Sequence, residues 1–203
     1  MKIDFHVHTS KYSGCASSGP EEQVRSAIRQ GVDVMFITEH MRLFPQELID
    51  DMNKRYAPFR IYQGIEVTIR DETFEDFIVI GVHDRRIEND HWTYRRLWEF
   101  VKKKGGGIII AHPFRFDNCV DSHVYDYPPD AVEILSSNIG EKGYNKRIKL
   151  ATQLGKPLIS NSDSHNICNT GCYSNEFPDW CTDENRIIQA LIVGDYKCAT
   201  LEK

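Results

Sequence analysis

Two histidines stand two residues apart at the end of the chain's first apolar run, in Asp4-Phe5-His6-Val7-His8. In a strand alternate side chains share a face, so His6 and His8 point the same way, with Asp4 behind them on that side. A His-x-His pair alone usually marks a solvated strand end. Here three more clusters of ligand-type residues follow, each closing an apolar run: Thr38-Glu39-His40, Ala111-His112-Pro113 and Ser162-Asp163-Ser164-His165. Another carboxylate, Glu66, closes the run that begins at Arg60. Imidazole nitrogens and carboxylate oxygens without thiolates suit Zn²⁺, Mn²⁺ or Fe²⁺. The candidate ligands His6, His8, His40, Glu66, His112, Asp163 and His165 exceed what one catalytic zinc uses, which predicts two or three ions, with Glu66 as a bridge. Such a centre lowers the pKa of a bound water and clamps the attacking and leaving oxygens, as phosphoester hydrolysis requires. Arg115, three residues after His112, offers a planar fork for phosphate oxygens. Asp4 is read as a partner that orients a histidine rather than as a ligand.

Those residues must be carried by elements that converge. The pattern predicts strands over 2–8, 32–38, 60–66, 77–82, 107–111, 131–135, 156–160 and, at the C-terminus, 196–200. Between them it predicts helices from Pro20 to near Gly31, from Pro45 to about Tyr56, from a cap at Asp90 to a glycine stop at Gly105, from about Lys142 to Leu154 and from Asp183 to Val193. The charged stretch 68–75 reads as a turn or hairpin, and 114–129 as an irregular loop over the mouth of the site. Trp92, Leu97, Trp98 and Val101 fall near helical spacing and read as core packing. Strands alternating with helices imply βαβ units, a parallel sheet and one closed barrel. The candidate ligands then lie on its C-terminal rim, where barrel active sites are built.

With 203 residues, 40% hydrophobic and 27% charged, the chain suits one globular domain over 1–203. No apolar run approaches the roughly 18 residues that span a bilayer, and no secretory leader is evident, so no membrane association and a cytoplasmic location are expected. A formal charge of −5 argues against long duplex nucleic acid as a partner, while a small anionic substrate met by metal ions remains compatible. The six cysteines lack paired spacings and are expected to be free thiols.

Asp4-x-His6-x-His8, Thr38-Glu39-His40, Gly64-Ile-Glu66, Ala111-His112-Pro113-Phe-Arg115 and Ser162-Asp163-Ser-His165 resemble, in order and over nearly the whole chain, the motifs of the polymerase and histidinol phosphatase (PHP) family. The resemblance implies a distorted (βα)₇ TIM-like barrel and a metal-dependent phosphoesterase with two or three divalent ions. It implies that His6, His8, Glu66 and Asp163 surround one ion, Glu66 and His112 a second, and His40 and His165 a third. The substrate implied is a small phosphorylated molecule, including a nucleotide or short oligonucleotide. The chain departs from the family pattern at two places. Gly14-Cys15 follows Tyr12-Ser13 where relatives carry an Asp or His, and Asp76 stands where many have a His entering the fourth strand, with His83 as a nearby substitute. These departures frame the alternative, a catalytically weak metal-binding module with a structural or regulatory role. An amidohydrolase-like barrel is the second enzymatic reading, but it would want a bridging lysine at a strand end, and none is suitably placed.

Overall fold

The computed structural model describes residues 1–89 and 91–199. The first strand, β1 (Lys2–Val7), is followed by α1 (Pro20–Arg29), β2 (Val34–Ile37), α2 (Gln46–Tyr56), β3 (Arg60–Arg70) and β4 (Phe74–Ile80). Next come α3 (Tyr94–Lys104), β5 (Gly107–Ala111), the short α4 (His123–Asp126), β6 (Ala131–Leu135), α5 (Tyr144–Leu154) and β7 (Leu158–Ser160). The chain ends in β8 (Asn175–Glu176), α6 (Glu184–Val193) and β9 (Lys197–Cys198).

One sheet runs β7-β6-β5-β4-β3-β2-β1-β8-β9. It is nearly closed: at the upper end Val7 bridges Ser164, with His8 N donating to Ser164 O at 2.9 Å. Lower down, asparagine side chains fill the seam. Phe5 N donates to Asn161 Oδ1 at 3.1 Å, and Ser160 N to Asn175 Oδ1 at 2.9 Å. This is the distorted TIM-like barrel that the resemblance implies.

The distortion corrects the expectation of a uniformly parallel sheet. β4 runs antiparallel to both β3 and β5, because a tight hairpin at 71–73 replaces the helix that a parallel crossover needs. β3 therefore does not stop at Glu66 but continues to Arg70 to form the hairpin arm. Reversing β4 also exchanges its ends: Asp76, paired with Thr68 and Ala111, lies on the ligand-bearing rim, and His83 leaves at the opposite end.

β1 departs from simple alternation. Ile3 and Phe5 pack in the barrel-interior cluster with Ile78, Ile109 and the α6 residues Ile187 and Leu191, whereas Val7 packs outside with Val24 of α1 and Ile49 of α2. The register shifts between Asp4 and Val7, as at a bulge, so Asp4 does not simply share the histidines' face. α6 thus plugs the barrel floor, while α3 and α5 cover the other side through Leu97, Val101 and Leu150 against Ile108, Ile110 and Val132.

Local signals explain most helix bounds. Pro20 opens α1 with Glu21 and Glu22 at the positive end of its dipole, and Gly105 and Gly155 terminate α3 and α5 in the left-handed conformation. The N-cap of α3 is Thr93; Asp90, expected there, lies outside the described residues, as does Thr200, the last residue of the expected terminal strand. Trp92 precedes the helix instead of lying on it, and it packs with Trp98 against the core. The stretch 114–129 is not wholly irregular, since α4 lies within it.

Candidate metal centre

β1, β2, β3, β5 and β7, or the residues just beyond them, bring all seven predicted ligands to one rim. His6 and His8 are fully buried, Glu66, His112 and Asp163 nearly so, and His40 stands half-open at the mouth. Their donor atoms fall into three overlapping groups whose members lie within 4.8 Å of one another: His6, His8 and Asp163; His6, Glu66 and His112; His8, His40 and His165. Glu66 is central. Its Oε1 lies 3.0 Å from His112 Nε2 and its Oε2 lies 2.8 Å from His40 Nδ1.

The histidines are held from behind. His6 Nδ1 lies 3.2 Å from Glu133 Oε1, and because a carboxylate only accepts, that nitrogen carries the hydrogen. His8 Nδ1 lies 3.2 Å from Ser13 Oγ, whose hydroxyl donates to the buried Glu39 and so accepts from the ring. His165 Nδ1 donates to the Asp163 carbonyl at 3.0 Å. In each case the Nε2 lone pair is left for an ion, the arrangement that metal-binding imidazoles need. Asp4 accepts from the amides of His6 and Ser162, fixing β1 against the loop that carries Asp163.

The spacing of the inward atoms tests whether ions fit. His6 Nε2 stands 3.3 Å from both Glu66 Oε1 and Asp163 Oδ1, and His8 Nε2 stands 3.2 Å from Glu66 Oε2 and 3.5 Å from Asp163 Oδ1. Two ligands each about 2.1 Å from a tetrahedral ion lie about 3.4 Å apart. His6 Nε2, His8 Nε2 and both Asp163 oxygens are buried without a hydrogen-bond partner among the described residues. Buried polar atoms are costly to leave so, and a shared cation would satisfy them together. The residues present fit divalent ions.

The electrostatics agree. Burial by itself would lower the imidazole pKa values, but Asp163, Glu66 and Glu133 outweigh it at His6 and hold that ring well above its ordinary value. At His8 the same opposition, with Asp163 and Glu66 prevailing, pushes the ring up to about 9. Burial would raise the Glu66 carboxyl, yet His6, His112 and His40 hold it far below the usual range. Asp76, pushed up by burial and by Glu66, is a carboxylate short of positive charge. His165 moves the other way, lowered by burial and by His8.

Backbone strain gathers at the same place. Among the described residues, the non-glycine positions with positive φ are Met41, His112, Phe114 and Asp163, at 52°, 30°, 68° and 47°, all at or beside the cluster.

Strand direction separates Asp76 from His83. Asp76 Oδ2 lies 3.8 Å from His112 Nε2, while His83 is bound to Gln63 and Glu184 away from the cluster. Cys15 is exposed and is not grouped with the histidines of the third set. Arg115 Nη1 lies 3.6 Å from Asp163 Oδ2, its guanidinium over the Phe116 ring. Sequence reading missed Glu133, Ser13 and the supporting role of Glu39. A lone acid inside the apolar strand Ala131-Val-Glu-Ile-Leu135 was the available signal for the first.

Comparison with known proteins gives the same picture. The PHP domain family matches residues 4–166 and a PHP-associated family matches residues 144–196. No curated protein matches significantly. Among solved structures, the fold is similar to PsfC from Pseudomonas syringae PB-5123, with TM-score 0.65 and 17% identity over 91% of this chain and 88% of that one. It is similar to an amidohydrolase from Chromobacterium violaceum holding sulfate and no metal, with TM-score 0.66 and 14% identity over 94% and 97% of the two chains. It also resembles a two-domain protein from Bacteroides vulgatus ATCC 8482 containing a predicted PHP-like metal-dependent phosphoesterase. There the TM-score is 0.65 and the identity 18%, over 86% of this chain and 57% of that one. The motifs, the distorted barrel and the matched length together place this chain in the PHP domain family.

Proposed function

We propose that this protein is a metal-dependent phosphoesterase that hydrolyses a small phosphomonoester, or a nucleotide or short oligonucleotide ester. The observation that carries the reading is the convergence of His6 and His8 Nε2 on Glu66 and Asp163 at ligand-to-ligand spacing, the two nitrogens and both Asp163 oxygens being buried without a hydrogen-bond partner among the described residues. His6, His8 and Asp163 would hold one ion, Glu66 and His112 with Asp76 a second, and His40 with His165 a third. His6 has a single Nε2 lone pair, so it serves one ion only, and Glu66 is the residue able to bridge. Zn²⁺, Mn²⁺ and Fe²⁺ all suit this donor set. When bound, the ions supply a water of lowered pKa and positive charge for the phosphoryl oxygens.

The protein's own part is positioning. Glu133 and Ser13 fix which nitrogen of His6 and His8 faces inward, and Arg115 presents its fork to the phosphoryl oxygens from beside Asp163. No lysine is buried among the described residues, which disfavours the lysine-bridged amidohydrolase reading. Among those residues no helix is long and apolar enough to cross a membrane. The free cysteines support a reducing, cytoplasmic setting, with the 203 residues acting as one domain.

The test is phosphate release from 4-nitrophenyl phosphate by protein reconstituted with Mn²⁺ or Zn²⁺. Turnover that disappears in His8→Ala and Asp163→Ala is expected. Stoichiometric ions without turnover on any phosphoester would leave only the non-catalytic module.

A further inference from the structure

Beside the metal cluster lies a pocket of about 430 Å³ between the loop after β5 and the start of α5. It joins the cluster through two residues: Arg115, which reaches toward Asp163, and Asn138, whose Nδ2 donates to the Asp163 carbonyl at 2.9 Å. A molecule whose phosphoryl group rests by Asp163 therefore extends past Arg115 into this space.

The pocket is cationic and pre-arranged. Lys142 and Lys146 line it and have no ion-pair partner among the described residues. The Lys146 ammonium sits 5.8 Å from the Phe114 ring centre, as Arg115 sits 5.0 Å from that of Phe116, so aromatic faces hold both cations in place. The acid in the wall, Asp117, is engaged by the Phe74 amide at 2.9 Å. α5 begins here without a side-chain cap and without an acid in its first turn, adding the positive end of a helix dipole. Beneath, the buried Arg147 donates to the carbonyls of Ile134, Lys142 and Gly140 at 2.8, 3.1 and 2.7 Å, which fixes the floor of the pocket. Its guanidinium is turned to those carbonyls and away from the opening. The two lysines are left for a ligand.

We propose that this pocket binds a second anionic group, a carboxylate or a phosphate, carried on the leaving-group side of the ester, so that the preferred substrate is a small bis-anionic phosphomonoester. This rests on the phosphoesterase reading and specifies its substrate class. Two lysines at a partly exposed site favour such a ligand by about tenfold over the same ester with one anion.

The experiment compares kcat/KM for phenyl phosphate, 3-carboxyphenyl phosphate and 1,3-phenylene bisphosphate on the metal-loaded protein, in wild type, K142Q/K146Q and K142E/K146E. A wild-type preference of about tenfold for one or both bis-anionic esters, carried mainly by KM, is expected. It falls to about one in the glutamine variant and below one in the glutamate variant, and the carboxylate and bisphosphate arms show which anion is read. Turnover of phenyl phosphate with no preference overturns this inference alone, as does a preference that survives both variants. No turnover of any of the three esters overturns it together with the phosphoesterase reading.

Discussion

Replacing Glu133 with glutamine keeps its shape and removes its charge, and the structure dictates why that matters. Glu133 Oε1 accepts from His6 Nδ1 at 3.2 Å and from Asn161 Nδ2 at 2.8 Å, while Oε2 accepts from the His112 amide at 2.8 Å. A glutamine supplies one acceptor and one donor. With its oxygen toward His6, its NH₂ opposes the His112 amide; turned over, it opposes both His6 and Asn161. Either way a charge-assisted hydrogen bond worth about 1.5–3 kcal/mol is lost in a fully buried place. In the second orientation His6 restores a bond only by accepting at Nδ1, which moves its hydrogen to Nε2 and removes the lone pair that would hold an ion. Outer partners of this kind are worth about 10- to 100-fold in metal affinity, or about 1.4–2.7 kcal/mol. Chelator-competition titration with Zn²⁺ on wild type and Glu133→Gln reads this directly, with urea unfolding of the metal-free proteins separating a folding defect from a binding one. An affinity within twofold of wild type in a folded variant would refute the reasoning that Glu133 sets the ligating face of His6.

Other consequences follow from the same geometry. Asp76→Asn should lower both ion occupancy and turnover, whereas His83→Ala should leave both within about twofold, since His83 sits at the other end of β4; equal effects would contradict the strand direction. The metal-free cluster holds protons on imidazoles such as His8, raised to about 9, so ion binding expels them, and apparent affinity falls as pH drops below that value, by up to about tenfold per unit for each proton displaced. Calorimetry in buffers of different ionisation enthalpy should find at least one proton released per ion at pH 7, and none would contradict the picture. Phe5 is fully buried, with its ring 4.9 Å from Phe36 and 5.4 Å from Phe177, so Phe5→Ala should cost about 3–5 kcal/mol in urea unfolding. A loss under 1 kcal/mol would place the barrel core elsewhere.

What the sequence made legible was set by local periodicity. His6 and His8 announce themselves because two-residue spacing on a strand needs no tertiary knowledge, and Glu66, His112 and Asp163 because each closes an apolar run at a rim. The direction of β4 is different in kind. A charged turn at 71–73 is visible, but that the strand after it runs back through the sheet depends on its pairing with β3 and β5, and the choice between Asp76 and His83 depends on that direction. The bulge in β1 is equally hidden, since strict alternation puts Asp4 on the histidines' face and only the pairing with β2 shows the register shift. Glu133 is hidden for the opposite reason: its apolar neighbours mark a buried strand, and nothing local says what meets the lone carboxylate among them. Such a residue can be buried only if donors meet it, and here the donors are the ring of His6, the amide of His112 and Asn161.

The central claim, that these imidazoles and carboxylates gather divalent cations, is met most directly by anomalous X-ray diffraction from crystals grown with Mn²⁺ or Zn²⁺. Two or three anomalous peaks per chain are predicted, one of them about 2.1 Å from His6 Nε2, His8 Nε2 and an Asp163 oxygen. A map with no peak among these side chains at saturating metal would contradict the account.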